Sequence, residues 1–281
     1  MNNLTITNEQ IYNFRNSLIG DEHSVGTVEK YIRDIRRFSM WLGSEELTKE
    51  TAAMWKLSLQ NENYSPTTIN SMLAAINAFL VFSGLCQFKL KYLRIQKRMF
   101  RSNCRQLTKN EYNKLLCSAK LKGHERLCLL METICSTGIR VSEIKYITVE
   151  AAKAGTAEIS LKGKIRTIIL TKKLCNKLIK YASKNHIKCG AIFITKNKTV
   201  ISRKQVWAEM KTLKALSGVA GTKIFPHNLR HLFARTFYKN CRNMAKLANV
   251  LGHSSIETTR IYLISTCEEQ IEELERLGLV N

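Results

Sequence analysis

Four short stretches of the 281-residue chain gather cations and imidazoles. They are "STGIRVSE" with Arg140 and Glu143, "LKGK" with Lys162 and Lys164, "FPHNLRH" with His227, Arg230 and His231, and "LGHSS" with His253. Nine positions after His253 stands Tyr262, in "SSIETTRIYLIS", which reads as a short helix. Each stretch taken alone has two readings. His227 and Arg230 are three apart just after Pro226, so both face one point beside a helix N-terminus, where exposed N–H groups favour an anion. The same pair equally serves as a cap and an internal ion pair. Arg140 follows an apolar helix and a Thr-Gly turn, so its burial is costly unless Glu143 or a bound phosphate neutralises it. Lys162 stands in a Lys-Gly turn, the usual place of a solvated hairpin tip. Tyr262 either packs a helix face or does the chemistry. For Arg140 and for the His227–Arg230 pair the functional reading is the binding of a phosphate.

Helices must hold most of these groups. Thr7 with Gln10 makes a capping box for a first helix. Val28, Tyr31, Ile32, Ile35, Phe38 and Leu42 form the stripe of a second, closed by Gly43. Ser65-Pro66 opens another as N-cap and first helical residue, with Ile69, Leu73, Ile76 and Leu80 inward and Gly84 after its end. These give a small helical domain over 1–98. Residues 99–106 read as a basic linker and 107–281 as a second domain. There Thr108 and Glu111 cap a helix to about Ala119, and the apolar helix "RLCLLMETIC" follows. "AEISL" and "IRTIIL", joined by Lys162-Gly163-Lys164, form a hairpin, and "GAIFIT" at 190–195 is a short strand candidate. Trp41, Trp55 and Trp207 fall in helical patterns and read as core or interface residues.

The chain carries 45 Lys+Arg against 22 Asp+Glu, a formal net charge of +23, which points to a polyanionic partner. The excess is uneven. Residues 1–100 hold 12 basic and 9 acidic side chains, 101–264 hold 32 and 8, and 265–281 hold one and five. No acid occurs between Glu62 and Glu111, while Lys89, Lys91, Arg94, Lys97, Arg98, Arg101, Arg105 and Lys109 follow one another. That run reads as a strap along phosphates, and Lys30, Arg33, Arg36 and Arg37 as a second phosphate-facing set. The nine cysteines are odd in number and form no C-x-x-C pair, which fits reduced thiols. No signal-like start and no apolar run of membrane-spanning length is present, so the expected location is cytoplasmic, with the nucleoid, and no membrane is a partner.

Taken in order, Arg140, a lysine in a β-turn, H-x-x-R, L-G-H and a tyrosine nine residues later resemble the tyrosine recombinases, the family of lambda integrase, Cre and the Xer proteins. The resemblance covers 136–144, 161–170, 225–234 and 251–263. It extends to "TVEKYIRDIRRFSMWL" and "SPTTINSMLAAINAFLVF", which look like the family's SAM-like core-binding domain. It implies a mainly α fold with a small antiparallel β-sheet (α+β), built as a two-domain DNA clamp of helical core-binding domain and catalytic domain. The implied catalytic set is Arg140, Lys162, His227, Arg230, His253 and Tyr262, supported by Glu143, His231 and Lys164. Tyr262 would attack the scissile phosphate to give a 3′-phosphotyrosine, Arg140 and Arg230 would clamp it, and His253 would donate to a phosphate oxygen. His227 would take the phenolic proton, and Lys162 would protonate the departing 5′-oxygen. Xer-like members often carry a turn one residue longer, so Lys164 rivals Lys162, which is favoured because it directly precedes the turn glycine.

The implied activity is site-specific recombination through a Holliday junction, with no cofactor and no metal. The implied partners are double-stranded DNA with inverted half-sites, three further copies in a homo-tetramer, and accessory DNA-bending proteins. The acidic tail, with Ile271, Leu274 and Leu277 at helical spacing, resembles a helix over 267–277 that docks on a neighbouring protomer. A core-binding domain beginning near Thr5 leaves no arm-binding extension, which leans towards a simple Xer-like recombinase of a mobile element. Two other functions compete. A type IB topoisomerase shares the tyrosine chemistry, but the tail and the helical first domain speak against it. A non-catalytic sequence-specific DNA-binding protein has no reason to keep Tyr262 together with His227 and Lys162.

Overall fold

The computed structural model describes residues 6–96, 105–161, 164–262, 271 and 274–278. The chain divides into two compact units, residues 1–97 and 98–281.

Among the described residues the first unit has four α-helices, α1 (Asn8–Gly20), α2 (Val25–Leu42), α3 (Lys49–Asn61) and α4 (Pro66–Phe82), followed by a 3₁₀ turn (Cys86–Phe88). Thr7 and Gln10 cap α1 reciprocally, and Ser65 caps α4 with Pro66 in its first turn. The 3–4 spacing of Val28, Ile32, Ile35, Phe38 and Leu42 buries one face of α2. Phe38 stacks at 4.9 Å on Trp55 of α3, whose ring is fully buried. Each such side chain contributes about 1.5–3 kcal/mol of burial. Trp41, expected in the core or an interface, is 39% exposed.

Beyond α4 the basic strap is held in place by two amides. Asn77 exchanges hydrogen bonds with the main chain of Leu90 at 2.8 and 2.9 Å, and Asn70 does the same with Leu93 at 2.8 Å each. Leu90 and Leu93 turn towards the helices, and Lys89, Lys91 and Arg94 are exposed. Lys97, Arg98 and Arg101 lie outside the described residues. The other basic set is partly compensated. Lys30 and Arg33 both bind the buried carboxylate of Asp34 at 2.9 Å, and Arg37 binds Glu62 at 2.6 Å and Tyr64 at 2.7 Å. Arg36 is exposed.

In the second unit, α5 (Lys109–Leu121) opens on the Thr108–Glu111 box, and α6 (Glu125–Thr137) is its central buried helix. Then come a 3₁₀ turn (Val141–Tyr146), α7 (Val149–Ala154), β1 (Thr156–Leu161) and β2 (Lys164–Ile169). The strands are antiparallel, with Leu161 opposite Lys164 and Ile159 opposite Arg166. Lys164, expected in the turn, already belongs to the ladder, and positions 162 and 163 lie outside the described residues. α8 (Lys172–Lys184), α9 (Arg203–Lys211), α10 (Lys214–Ser217), α11 (Pro226–Cys241), α12 (Met244–Leu251) and α13 (Ile256–Arg260) complete the unit.

The strand expected over 190–195 does not form. Ala191 bridges only Thr148, Ile194 bridges only Val200, and Gly190 turns the chain at φ +75°. Ile192 and Phe193 are apolar because they are core anchors, fully buried between these bridges. Most of the helix expected over 267–277 lies outside the described residues, and Ile271, Leu274 and Leu277 are exposed. Among the described residues no helix is long and apolar enough to cross a membrane.

Candidate active site

Five elements of the second unit converge on one site. Gly138 ends α6 in the left-handed conformation at φ +68°, and a Cβ there would lie 2.4 Å from the Phe233 ring. That tight turn delivers Arg140 to the start of the 3₁₀ turn. Glu143, one turn on, accepts from the Arg140 main-chain N–H at 2.7 Å and from its Nη1 at 3.0 Å. The carboxylate is 1% exposed and also accepts from Arg166 Nη2 at 2.5 Å. Arg166 is the residue whose importance the sequence reading missed. Alternation along β2 places it on the same face as the buried Ile168 and Leu170, so an inward arginine was detectable. Its Nη1 donates to the carbonyl of Val250, at the end of α12, at 2.9 Å.

Arg166 also explains the glycine of L-G-H. Gly252 has φ +65°, and a Cβ would sit 2.5 Å from Arg166 Nη1 and 2.6 Å from its Cδ. Gly252→Ala combines left-handed strain with displacement of Arg166 from its partners, and is expected to destabilise the protein by about 2–4 kcal/mol. Urea unfolding measures it. A loss under about 0.5 kcal/mol, within the scatter of ordinary surface changes, contradicts the packing described.

Arg230 is buried in α11, one turn beyond His227. Its Nη1 donates to the Gly138 carbonyl at 2.5 Å and its Nη2 to the Leu251 carbonyl at 2.8 Å. Nη2 also lies 3.0 Å from His253 Nε2, while His253 Nδ1 lies 2.8 Å from Thr259 Oγ1. The Nε of Arg230 has no hydrogen-bond partner among the described residues. Burial and the neighbouring Arg140 push Arg230 down to about 10, opposed by the Tyr262 hydroxyl and Glu143. Burial, then Arg230, Arg140 and Arg166, push His253 down to about 4, so its ring is neutral at pH 7. The stability that a neutral His253 contributes is present above pH 6.5 and is lost as the pH falls towards 4.

Tyr262 follows α13, with its amide donating to the Thr259 carbonyl at 3.0 Å. Its ring is 3% exposed and packs with Ala234, Leu247 and Leu251. Three imidazoles surround it: His253 stacked at 5.5 Å, His231 at 4.4 Å and His227 at 6.0 Å between centroids. His227 is exposed and lines a cleft of about 530 Å³ with Arg140 and Arg230. Arg203, Lys204 and Trp207 of α9 also line it. Trp207, expected in the core or an interface, is 51% exposed there.

The structure therefore brings together Arg140, Glu143, His227, Arg230, His231, His253 and Tyr262. Lys162 lies outside the described residues, and Lys164 begins β2. Arg105 is remote from this cluster in chain position, and its carbonyl accepts from Asn228 at 2.7 Å. Charge is the distinctive property of the site. Arg140 and Arg166 share a single carboxylate, Glu143, and among the described residues the buried Arg230 beside them has only carbonyls, the neutral His253 and the Tyr262 hydroxyl as partners. Positive charge in excess of its carboxylates, with Arg166 and Arg230 withdrawn from solvent, is costly unless an anion completes it. Among the described residues no group of three or more His, Cys, Asp or Glu is placed to hold a metal.

Both units are similar to known proteins. The phage integrase family matches residues 105–269, and the phage integrase N-terminal SAM-like domain matches residues 11–83. The chain is 29% identical to the tyrosine recombinase XerA of Pyrococcus furiosus, over 100% of this chain and 98% of that protein. In structure it is similar to a lambda integrase dimer bound to a COC′ core site, with a TM-score of 0.73 and 18% identity, over 91% of this chain and 94% of that one. A lambda integrase tetramer bound to a Holliday junction gives a TM-score of 0.71 and 18% identity, over 92% and 77% of the two chains.

Proposed function

The chain belongs to the phage integrase family and is a tyrosine-type site-specific recombinase, and from that premise we propose that Tyr262 is the nucleophile that breaks and rejoins DNA. The observation that carries this reading is the excess of guanidiniums over carboxylates beside a tyrosine hydroxyl: Arg140 and Arg166 share Glu143, and the buried Arg230, next to Tyr262, has no carboxylate in ion-pair contact among the described residues. A phosphodiester supplies the missing negative charge, and Arg140 and Arg230 present planar donors to its non-bridging oxygens. The Tyr262 oxygen then bonds to phosphorus as the bond to the 5′-oxygen breaks. His227 takes the phenolic proton: although His231 is nearer to the ring, His227 faces the cleft with both arginines. Lys162 gives its proton to the departing 5′-oxygen. The 3′-phosphotyrosine keeps the energy of the broken phosphodiester, so a 5′-hydroxyl reseals it without a nucleotide.

The partner is duplex DNA with inverted half-sites. The exposed Lys89, Lys91 and Arg94, fixed on the first unit by Asn70 and Asn77, suit phosphate contact. Four copies working on two sites, joined through their acidic tails, fit the strand exchange; the similar lambda integrase bound to a Holliday junction is a tetramer.

A duplex nicked beside the cleavage point tests the reading, because the short cleaved strand diffuses away and traps the intermediate. Wild type is expected to give a covalent protein–DNA band on a denaturing gel and Tyr262→Phe none. On a substrate with a 5′-bridging phosphorothiolate, which needs no acid, Lys162→Ala is expected to regain cleavage. An adduct undiminished in Tyr262→Phe overturns the assignment of the nucleophile, and selective rescue of Lys164→Ala moves the acid to Lys164.

A further inference from the structure

The hydrogen bonds of His253 leave little freedom in where its proton sits. Arginine has no acceptor, so the 3.0 Å contact from Arg230 Nη2 must end on a bare Nε2 lone pair. The ring is neutral, so its one proton is on Nδ1, and Nδ1–H donates to Thr259 Oγ1 at 2.8 Å. In this state the Nε2 lone pair of His253 is turned to Arg230, which itself lines the cleft. A phosphate oxygen drawn in by Arg140 and Arg230 would meet that lone pair repulsively. The ring can donate to the anion only when Nε2 carries the proton and Nδ1 accepts one.

The partner of Nδ1 decides whether that exchange is possible. A main-chain carbonyl or a carboxylate there would lock the ring as Nδ1–H, because such groups only accept. Thr259 instead offers a hydroxyl, which accepts in one state and donates in the other by rotating about its C–O bond. It is fully buried, so water does not stand in for it. The same residue holds the nucleophile, since the Thr259 carbonyl accepts from the Tyr262 amide.

We propose that Thr259 is a positioning residue whose hydroxyl lets His253 change tautomer when the scissile phosphate arrives, from a lone pair facing Arg230 to an N–H facing the anion. One proton leaves Nδ1 to solvent and one enters Nε2 from solvent, so the ring's charge does not change. Thr259 turns from acceptor to donor. The free protein is thereby held in an arrangement that only the substrate's charge reverses, while Tyr262 stays anchored to the same residue. This rests on the recombinase reading above for the identity of the anion.

The test uses full-length protein with ¹⁵N-labelled histidine and a duplex selected from a random library for binding to the Tyr262→Phe protein. His253 is identified by the ring signals lost in His253→Gln. Free protein is expected to show a protonated-type Nδ1 and a bare-type Nε2, and the Tyr262→Phe complex with the duplex the reverse. With protein saturating, Thr259→Val is expected to form adduct about 10–100-fold more slowly on the nicked version of the duplex, and Thr259→Ser to recover most of the rate. An unchanged tautomer in the complex, a doubly protonated ring, or Thr259→Val cleaving as wild type overturns the proposal. The ring signals decide even if Thr259→Val does not fold. Wild-type protein run on the same nicked duplex separates the two claims: no adduct there refutes the recombinase reading, whereas adduct with an unswitched ring refutes only the role of Thr259.

Discussion

Arg230→Lys is expected to slow covalent adduct formation about 10³-fold, the upper end of what loss of one preorganised oxyanion donor costs. The guanidinium reaches Gly138 O, Leu251 O and His253 Nε2 from a side chain that is 1% exposed. Those partners come from the α6 turn, the end of α12 and the L-G-H turn. A single ammonium can keep one or two of them, because its donors radiate from one nitrogen instead of a rigid plane. A carbonyl left bare in the interior costs about 1–3 kcal/mol. The site would relax to recover it, carrying His253 and the segment that bears Tyr262 away from register. The charge is conserved in this substitution, so the effect isolates geometry from electrostatics. Single-turnover cleavage of the nicked duplex measures it, and a rate within tenfold of wild type contradicts the structural part of the argument.

Glu143→Gln is expected to lower folding stability by about 3–5 kcal/mol, the range for breaking a buried ion pair. Glu143 is the carboxylate that Arg140 and Arg166 share, and glutamine keeps its shape while removing the charge that separates them. Three guanidiniums would then repel one another without a counterion. The loss should shrink when sulfate is added, because an anion that binds only the folded state stabilises it by mass action. Wild type, already partly compensated, should respond less. Urea unfolding with and without sulfate reads both effects. A loss under about 1 kcal/mol, well below the buried-pair range, or an equal sulfate response in the two proteins, contradicts the charge balance described.

The site was legible in the sequence to the extent that its residues stand in short local patterns. His227 and Arg230 share a helix face, Arg140 and Glu143 are one turn apart, and the structure adds only their partners. Arg166 was legible in principle from strand alternation, but a hairpin arginine attracts no notice until its partners across 23 and 84 positions are known. Thr259 was not legible at all, since it looks like any polar residue of a short helix and its use depends on where His253 lands. The helices were read from their caps and stripes, which are local. The clasp of Asn70 and Asn77 on the strap is a tertiary event, and no periodicity announces it. For Lys30 and Arg33 the structure adds a partner close in sequence, the buried carboxylate of Asp34, which a count of basic residues along the helix does not weigh.

The central claim is that the oxygen of Tyr262 bonds to the 3′-phosphate of the cleaved strand. The trapped adduct, digested with nuclease and protease, can be sequenced by mass spectrometry to find the peptide that retains a nucleotide. The expected result is a nucleotide mass on the tyrosine of "IYLIS", with the other eight tyrosines unmodified. A nucleotide on any other residue, or an adduct whose peptide carries Tyr262 unmodified, contradicts it.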